Sequence, residues 1–167
     1  MTTHGTARRL DVSSAPSGDE GAGRTYEFGQ SLPTALVQAR EAVMPLFRPT
    51  LRRFGLTDLQ WRVLLAVRSS GEIEVARLAQ LSCLLAPSLS RVLRDLHKRR
   101  LIDRRAPASD QRRSIISISE EGRVLMAQVF PLMLGGYDDI ERRYGAQKLA
   151  VLRQMLLELW DVMGCKT

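Results

Sequence analysis

Cysteine, aromatic residues and long apolar runs are all scarce in this sequence. Aromatic residues make up 5% of its 167 residues, and the only cysteines are Cys83 and Cys165. Two cysteines cannot form a disulfide framework, and no Cys/His cluster has the spacing of a zinc site. The sequence also lacks an apolar run of about 18 residues and the pattern of a secretory signal. These absences predict a soluble, cytoplasmic protein with no metal site and no membrane partner.

The groups that catalysis usually needs are also few. The two histidines are His4, near the N-terminus, and His97, which lies among basic residues. No recognisable motif places either of them beside a serine or cysteine nucleophile, and no glycine-rich loop of the phosphate-binding kind is present. We therefore expect no enzymatic activity and no cofactor.

Positive charge is concentrated in the middle of the chain. The net charge is +7 overall, and the sequence pI is about 10.2. Residues 48–113 contain 15 Lys and Arg against 6 Asp and Glu, whereas the remainder is close to neutral. A segregated basic segment suits a phosphate-binding surface, because each neutralised phosphate releases counterions and adds salt-dependent affinity. The charge distribution therefore favours nucleic acid as a partner.

The N-terminal third of the sequence changes from an arm to helices. Residues 1–30 are rich in glycine, show no sustained apolar period and are predicted to form a flexible arm. From Pro33 to Arg53 the apolar spacing is helical, and Pro45 and Pro49 are expected to kink or break this first helix. After Gly55, the residues Thr57-Asp58-Leu59-Gln60 form a capping box that opens a second helix.

The basic segment contains a helix-turn-helix pattern. A short helix over Val75–Leu81 and a turn lead to Pro87, which suits the first position of a longer helix that ends near Arg99. The inward positions of that helix are apolar: Leu89, Val92, Leu93 and Leu96. Its outward positions are polar or charged, as a DNA major groove would accept: Ser88, Ser90, Arg91, Arg94, Asp95 and Lys98. A solvated helix surface would carry the same residues, so this helix alone does not decide.

Two β-prone runs, Leu101–Arg105 and Ser114–Ile118, follow directly and predict a hairpin. The motif is therefore a winged helix-turn-helix. The hairpin tip carries Asp110, Arg112 and Arg113. An arginine on a narrow hairpin suits the minor groove, and Asp110 is spaced to hold the guanidinium of Arg112.

The last two helices carry more apolar surface than a single chain needs. Ser119 caps the first of them, and the second, after Gly145, has a heptad-like apolar stripe from Leu149 to Met163. Packing against a second subunit explains the excess, although an intramolecular helical hairpin is the competing account. We predict a mainly α protein in which residues 55–118 form a winged helix-turn-helix lobe and residues 31–54 and 119–164 form a dimerisation region. A homodimer of this kind would read a near-palindromic site on double-stranded DNA.

In this order of elements the sequence resembles the MarR family of bacterial dimeric repressors, from about Ser31 to Trp160. The wing motif Asp110-Gln111-Arg112-Arg113 and the following Ile118-Ser119-Glu120-Glu121-Gly122 carry the family resemblance. Further segments resemble the subgroup that controls homoprotocatechuate and related aromatic-acid degradation operons: Gln38–Ala42, Phe47–Pro49, Leu56-Thr57, Gln60–Arg62 and Pro87–Leu89.

The resemblance implies roles for particular residues. Major-groove bases and nearby phosphates of operator DNA would be contacted by Pro87, Ser88, Ser90, Arg91 and Arg94. Arg112 would enter the minor groove, with Asp110 as its brace and Arg113 in support. A small phenolic or aromatic carboxylate effector would bind in a cleft lined by the first two helices, where Arg40 suits the carboxylate because a guanidinium can hold both oxygens. The other residues expected around this effector are Ser31, Gln38, Met44, Phe47, Trp61 and Arg62.

Alternatives remain open from the sequence. Phe47 and Trp61 are equally compatible with a place in the core, and Arg40 with an ion pair. A redox-sensing repressor that uses Cys83 is a second hypothesis, although a thiol among Leu81, Leu84 and Leu85 is expected to be buried with a raised pKa. An architectural protein without sequence preference is a third.

Overall fold

The computed structural model describes residues 31–106 and 114–164. Contacts divide the chain into a unit over Met1–Leu36 and a larger unit over Val37–Thr167. In the first unit the described residues form the start of a helix, where the amide of Ala35 donates a hydrogen bond to the carbonyl of Ser31 at 2.9 Å. The larger unit contains the rest of the described fold. The predicted arm, residues 1–30, lies outside the described residues.

The described chain forms seven α-helices, one 3₁₀ turn and three short strands. The first helices are α1 (Leu32–Val43), α2 (Arg48–Arg53) after a 3₁₀ turn over Met44–Leu46, and α3 (Asp58–Ser70). The winged helix-turn-helix elements are β1 (Glu72–Glu74), α4 (Val75–Leu81), α5 (Ala86–Lys98), β2 (Ile102–Arg105) and β3 (Ile115–Ile118). The last helices are α6 (Glu120–Tyr144) and α7 (Ala146–Met163).

Local chemistry sets the ends of the helices. The hydroxyl of Thr57 accepts a hydrogen bond from the amide of Gln60, and the Gln60 side chain accepts one from the amide of Thr57, so the predicted capping box is confirmed. Ser119 caps α6 by accepting from the amide of Gly122 at 3.0 Å. The expected break at the prolines is also confirmed, because the first predicted helix divides into α1, the 3₁₀ turn and α2.

The three strands form one antiparallel sheet in the order β1-β3-β2, with Ile73 opposite Ile116 and Ile102 opposite Ile118. The sheet packs its apolar side chains into a core that includes Leu64, Leu78, Leu89 and Met126. The hairpin of β2 and β3 was predicted, whereas β1 was not. Three residues are too short to show a strand period, and β1 is held by pairing with a strand more than forty residues later.

The expected burial of Cys83 is wrong. Cys83 is exposed, not buried among its leucine neighbours, because its backbone adopts φ = 50° in the turn between α4 and α5 and the chain reverses there. Helix α3 continues to Ser70, and Gly71 follows it at φ = 71°. Helix α6 runs through Pro131 and the pair Gly135-Gly136 to Tyr144 in one continuous element.

The terminal helices contribute little to the core of a single chain. Neither α1 nor α7 contains a buried residue. The exposed apolar side chains of α7 are Val151, Leu152, Met155, Leu156, Leu157, Trp160, Val162 and Met163. No helix within the described ranges is both long and apolar enough to cross a lipid bilayer. These faces are therefore apolar surfaces that one copy of the chain leaves open.

Gly122 is required where α6 begins against the wing. A Cβ at this position would lie 2.1 Å from the carbonyl oxygen of Leu101 and 3.0 Å from Cγ2 of Ile118. Because a backbone atom cannot yield as a flexible side chain does, Gly122→Ala should destabilise the fold by about 1–3 kcal/mol. Chemical denaturation measures this loss. Gly135→Ala, in the same helix with no atom within 4 Å of its Cβ, is the matched control and should be neutral or stabilising. Equal effects of the two substitutions would contradict the packing argument.

Candidate nucleic-acid interface and effector cleft

Helix α5 has one buried face and one exposed face. Its buried residues are Leu89, Val92, Leu93 and Leu96, as the sequence predicted. The five residues that the sequence assigned to major-groove contact, Pro87, Ser88, Ser90, Arg91 and Arg94, are all exposed. The apolar stripe fixes which side of α5 faces the core, and the opposite side is therefore available to a partner.

The arginines on this outer face have no partner within the described part of the chain. Neither Arg91 nor Arg94 forms a hydrogen bond or an ion pair with a described residue. Guanidinium groups that are not engaged internally retain all five donors for phosphate oxygens or base edges. The outer face of α5 is the best candidate surface for a polyanion.

Two other arginines attach the helix-turn-helix to the body. Nη1 of Arg62, on α3, donates to the carbonyl of Ser82 at 3.1 Å, at the end of α4. Arg99, which follows α5, donates through Nη1 to the carbonyl of Gly55 at 2.7 Å and through Nη2 to that of Phe54 at 2.9 Å. The structure thus directs Arg62, which was expected to face the effector, toward the turn of the helix-turn-helix motif.

The base of the wing is held by polar contacts between strands. Nε of Arg104 donates to the hydroxyl of Ser114 at 2.7 Å, and Arg105 forms an ion pair with Glu72 on β1. The predicted tip residues Asp110, Arg112 and Arg113 lie outside the described residues. Their proposed roles at the minor groove remain predictions.

Four charged side chains form a cluster where α1, α2 and α3 approach one another. Arg48 binds Glu41 at 2.7 Å through Nη2 and Asp58 at 3.1 Å through Nε. Arg40 also pairs with both carboxylates, with Nη2 3.4 Å from Asp58. The hydrogen bond from Arg48 holds the pKa of Glu41 below its usual value, so this carboxylate keeps its charge to a lower pH than a free glutamate does. Two cations share two anions here, and the sequence did not single out Glu41 or Asp58.

The predicted aromatic lining residues are core residues in this chain. Phe47 and Trp61 are each 9% exposed. The ring of Phe47 packs against Tyr137 with centroids 5.0 Å apart, and Trp61 packs against Phe130 at 5.3 Å. Both contacts join α6 to the first helices. The sequence-based alternative, a structural role for these rings, therefore describes their contacts in a single chain.

The remaining predicted effector residues differ in their surroundings. Gln38 is exposed, Met44 packs at the edge of the core, and Ser31 immediately precedes α1 in the N-terminal unit. A cavity of about 350 Å³ next to the charged cluster is lined by Arg48, Arg52, Leu56, Thr57, Asp58 and Leu59. A larger cavity of about 860 Å³ lies between the sheet and α6, and none of the seven predicted effector residues lines it. The structure joins Arg40 to the charged cluster, and the role of the predicted set at an effector stays a prediction.

Comparison with known proteins links this architecture to a family. A sequence family described as the MarR family matches residues 54–113, which begin directly after α2 and extend beyond β2. The transcriptional regulator FarR of Neisseria gonorrhoeae is 37% identical over 129 residues, which cover 77% of this chain and 88% of FarR. The homoprotocatechuate degradative operon repressor of Escherichia coli is 37% identical over 128 residues, covering 77% of this chain and 86% of that repressor.

Among solved structures, NadR in complex with 4-hydroxyphenylacetate is similar over nearly its full length. The TM-score is 0.70 at 34% identity, and the match covers 87% of this chain and 97% of NadR. The likeness therefore includes the winged helix-turn-helix and the helices that flank it on both sides.

Proposed function

The chain belongs to the MarR family of transcriptional regulators, and we propose that it acts as a dimeric repressor of an aromatic-acid catabolic operon that a small phenolic or aromatic carboxylate releases. The observation that carries the proposal is the outer face of α5, where exposed Ser88, Ser90, Arg91 and Arg94 lie beside one another with unengaged guanidinium groups. The named relatives are transcriptional regulators, which agrees with the expectation that the chain is not an enzyme.

Operator DNA would be read by α5 in the major groove. Ser88, Ser90 and Arg91 lie in the first half of the helix, the part of a recognition helix that contacts base edges. Arg94, one turn later, suits a flanking phosphate, which fixes register without reading sequence. Arg112, braced by Asp110 and supported by Arg113, would add a minor-groove contact from the wing.

Dimerisation would cover the open faces of α1 and α7. Met155, Leu156 and Trp160 of α7 are 59%, 40% and 46% exposed in the single chain, an arrangement that costs free energy unless a partner covers it. Residues 31–54 and 119–164 would form this region, and residues 55–118 the DNA-binding lobe. Two-fold symmetry would place two copies of α5 about 34 Å apart, one turn of the duplex.

The effector would bind through Arg40 at the charged cluster. Arg40 is the more exposed of its two arginines, with 41% of the side chain accessible, against 32% for Arg48. If a ligand carboxylate engages Arg40, Asp58 and Glu41 both keep Arg48 as a partner, so no carboxylate loses its last cation. NadR, which is similar to this chain, binds 4-hydroxyphenylacetate, a compound of the proposed chemical class.

Release from DNA requires the effector to favour a different separation of the two lobes. A ligand shifts an equilibrium only through its differential affinity for the two states. A coupling free energy of about 1–3 kcal/mol would lower operator affinity by roughly 5- to 150-fold.

Arg91→Ala and Arg94→Ala should each weaken operator binding by about 1–3 kcal/mol, because each removes donors from the reading face. Fluorescence anisotropy with a duplex from upstream of the gene, titrated at several salt concentrations, measures both affinity and salt slope. The control is Arg142→Ala, which removes one exposed positive charge about 33 Å along α6 from Glu120, where this helix begins beside the wing. Asp139 keeps Arg143 as a partner at 2.6 Å. Because Arg142 lies in the proposed dimerisation region, sedimentation first shows that this variant is still a dimer. A loss in the control as large as in the two variants would contradict the proposed interface.

Arg40→Ala should reduce the effector response and leave ligand-free operator binding nearly unchanged. The measurement is operator affinity with and without 4-hydroxyphenylacetate and related phenolic acids, supported by thermal shift of the protein with each compound. Arg40→Lys keeps the charge but loses the two-donor grip, so its response should be intermediate. Abolished DNA binding together with unchanged ligand affinity in Arg40→Ala would refute this role.

A second candidate function is redox control through Cys83, which the exposure of this thiol favours. Cys83 lies in the turn between α4 and α5, where oxidation would act directly on the reading helix. If this candidate holds, peroxide lowers operator affinity, a thiol reductant restores it, and Cys83→Ser abolishes the response. Operator affinity unchanged by peroxide would exclude redox control and leave ligand control standing.

A further inference from the structure

Four consecutive residues with basic side chains lie at the C-terminal end of the recognition helix α5: His97, Lys98, Arg99 and Arg100. By sequence alone, all four are candidates for contacts with DNA phosphates. The structure separates them. Within the described chain the side chains of Lys98 and Arg100 make no hydrogen bond or ion pair, whereas Nδ1 of His97 lies 3.2 Å from the carbonyl oxygen of Ile102.

Arg99 is the member of this run that reaches across the molecule. Its guanidinium donates to two consecutive carbonyls, Phe54 at 2.9 Å and Gly55 at 2.7 Å, which precede it by more than forty residues. Both distances are ideal for N–H donors, and the planar fork of arginine suits two parallel acceptors. A guanidinium engaged in this way has fewer donors left for a phosphate.

The acceptors belong to a part of the backbone that is itself fixed. Phe54 follows the last turn of α2, whose final carbonyls lack partners within the helix and carry partial negative charge. Gly55 has φ = +63°, in the left-handed region, and the chain then enters the capping box of α3 at Thr57. Arg99 therefore anchors the end of α5 to a well-defined point between α2 and α3.

The position of this anchor matters for the reading end of α5. Ser88 lies eleven residues before Arg99, about 16 Å at 1.5 Å per residue. Over that length, a tilt of about 4° about the C-terminal end displaces Ser88 by about 1 Å, which exceeds the roughly 0.5 Å range of good hydrogen-bond distances. The buried stripe fixes which face of α5 points inward, and a polar contact at its end restricts the tilt.

We propose that Arg99 is a positioning residue for sequence recognition: its bonds to the Phe54 and Gly55 carbonyls set the tilt of α5 so that Ser88, Ser90 and Arg91 meet base edges. The inference rests on the proposed DNA-binding function but assigns Arg99 a different part in it from its basic neighbours. Arg99 acts on base contacts through orientation and does not itself neutralise a phosphate.

The test compares Arg99→Ala with wild type by anisotropy titration on an operator duplex and on a random duplex of equal length, each at several salt concentrations. Loss of orientation should weaken operator binding roughly 5- to 100-fold, the effect of one or two impaired base contacts. Affinity for the random duplex and the slope of log K against log salt should both stay at wild-type values, because no phosphate contact is lost. Arg99→Lys, which can reach one of the two carbonyls, should restore part of the operator affinity.

Lys98→Ala is the comparison variant, since it removes one adjacent positive charge that has no described partner inside the chain. Any phosphate contact of Lys98 should be lost from both duplexes alike, so its operator-to-random ratio should stay at the wild-type value. The helical content and the midpoint of thermal unfolding are measured first for each variant. If Arg99 had only a structural role, Arg99→Ala would lower the midpoint but leave the ratio of operator affinity to random-duplex affinity unchanged in the folded protein. That result would overturn the proposal. A second result would also overturn it: Arg99→Ala lowers affinity equally for both duplexes and reduces the slope of log K against log salt by about one. This combination is what loss of a direct phosphate contact produces. If wild type itself fails to distinguish operator from random DNA, the proposed function fails first.

Discussion

The apolar surface of the terminal helices is the constraint on which the rest of this protein depends. Helix α7 contains no buried residue although it carries Leu152, Leu156 and Trp160, and α1 contains none either. In a single chain this surface faces water at a free-energy cost that grows with its area. A second copy removes that cost, and two-fold symmetry then converts one reading helix into two at a defined spacing. The contact between the two copies therefore also determines the spacing of the two reading helices on the operator.

Helix α6 connects that surface to the DNA-binding lobe. Its first turn packs against the wing through Gly122, and further along it carries Phe130 and Tyr137, whose rings contact Trp61 and Phe47. The charged cluster of Arg40, Glu41, Arg48 and Asp58 lies next to these ring contacts in the chain, since Arg48 follows Phe47 directly and Asp58 precedes Trp61 by three residues. Asp58 begins α3 three residues after Gly55, which holds Arg99. A ligand at the cluster would therefore act close to the point where the recognition helix is anchored.

Local patterns predicted the elements that local chemistry determines. The Thr57 capping box, the Ser119 cap, the inward stripe of α5 and the hairpin of β2 and β3 all follow from residues within a few positions of one another, and each is confirmed. Strand β1 was missed because its partner β3 is distant in sequence. Cys83 was expected to be buried because leucines surround it in sequence, but the turn at positive φ exposes it.

The site was less predictable than the fold for a similar reason. Arg99 resembles its basic neighbours in sequence, and only the tertiary structure brings it to the α2–α3 loop. Phe47 and Trp61 suit either a ligand pocket or a core, since both environments select large aromatic residues. The expected effector residues extend from Ser31 to Arg62, over α1, the 3₁₀ turn, Phe47 and α3, and their joint role stays a prediction.

In the proposed dimer, two copies joined through their terminal helices hold two recognition helices one duplex turn apart. The test is the distance between spin labels at Asp95→Cys, later in α5 than the proposed base contacts of Ser88, Ser90 and Arg91. The protein carries serine in place of Cys83 and Cys165, and anisotropy first shows that the labelled protein still binds the operator. For the proposed dimer we expect one inter-subunit distance near 34 Å on operator DNA, and a different distance when effector is added. An absence of dipolar coupling, as from a monomer, or a distance far from one duplex turn would contradict it.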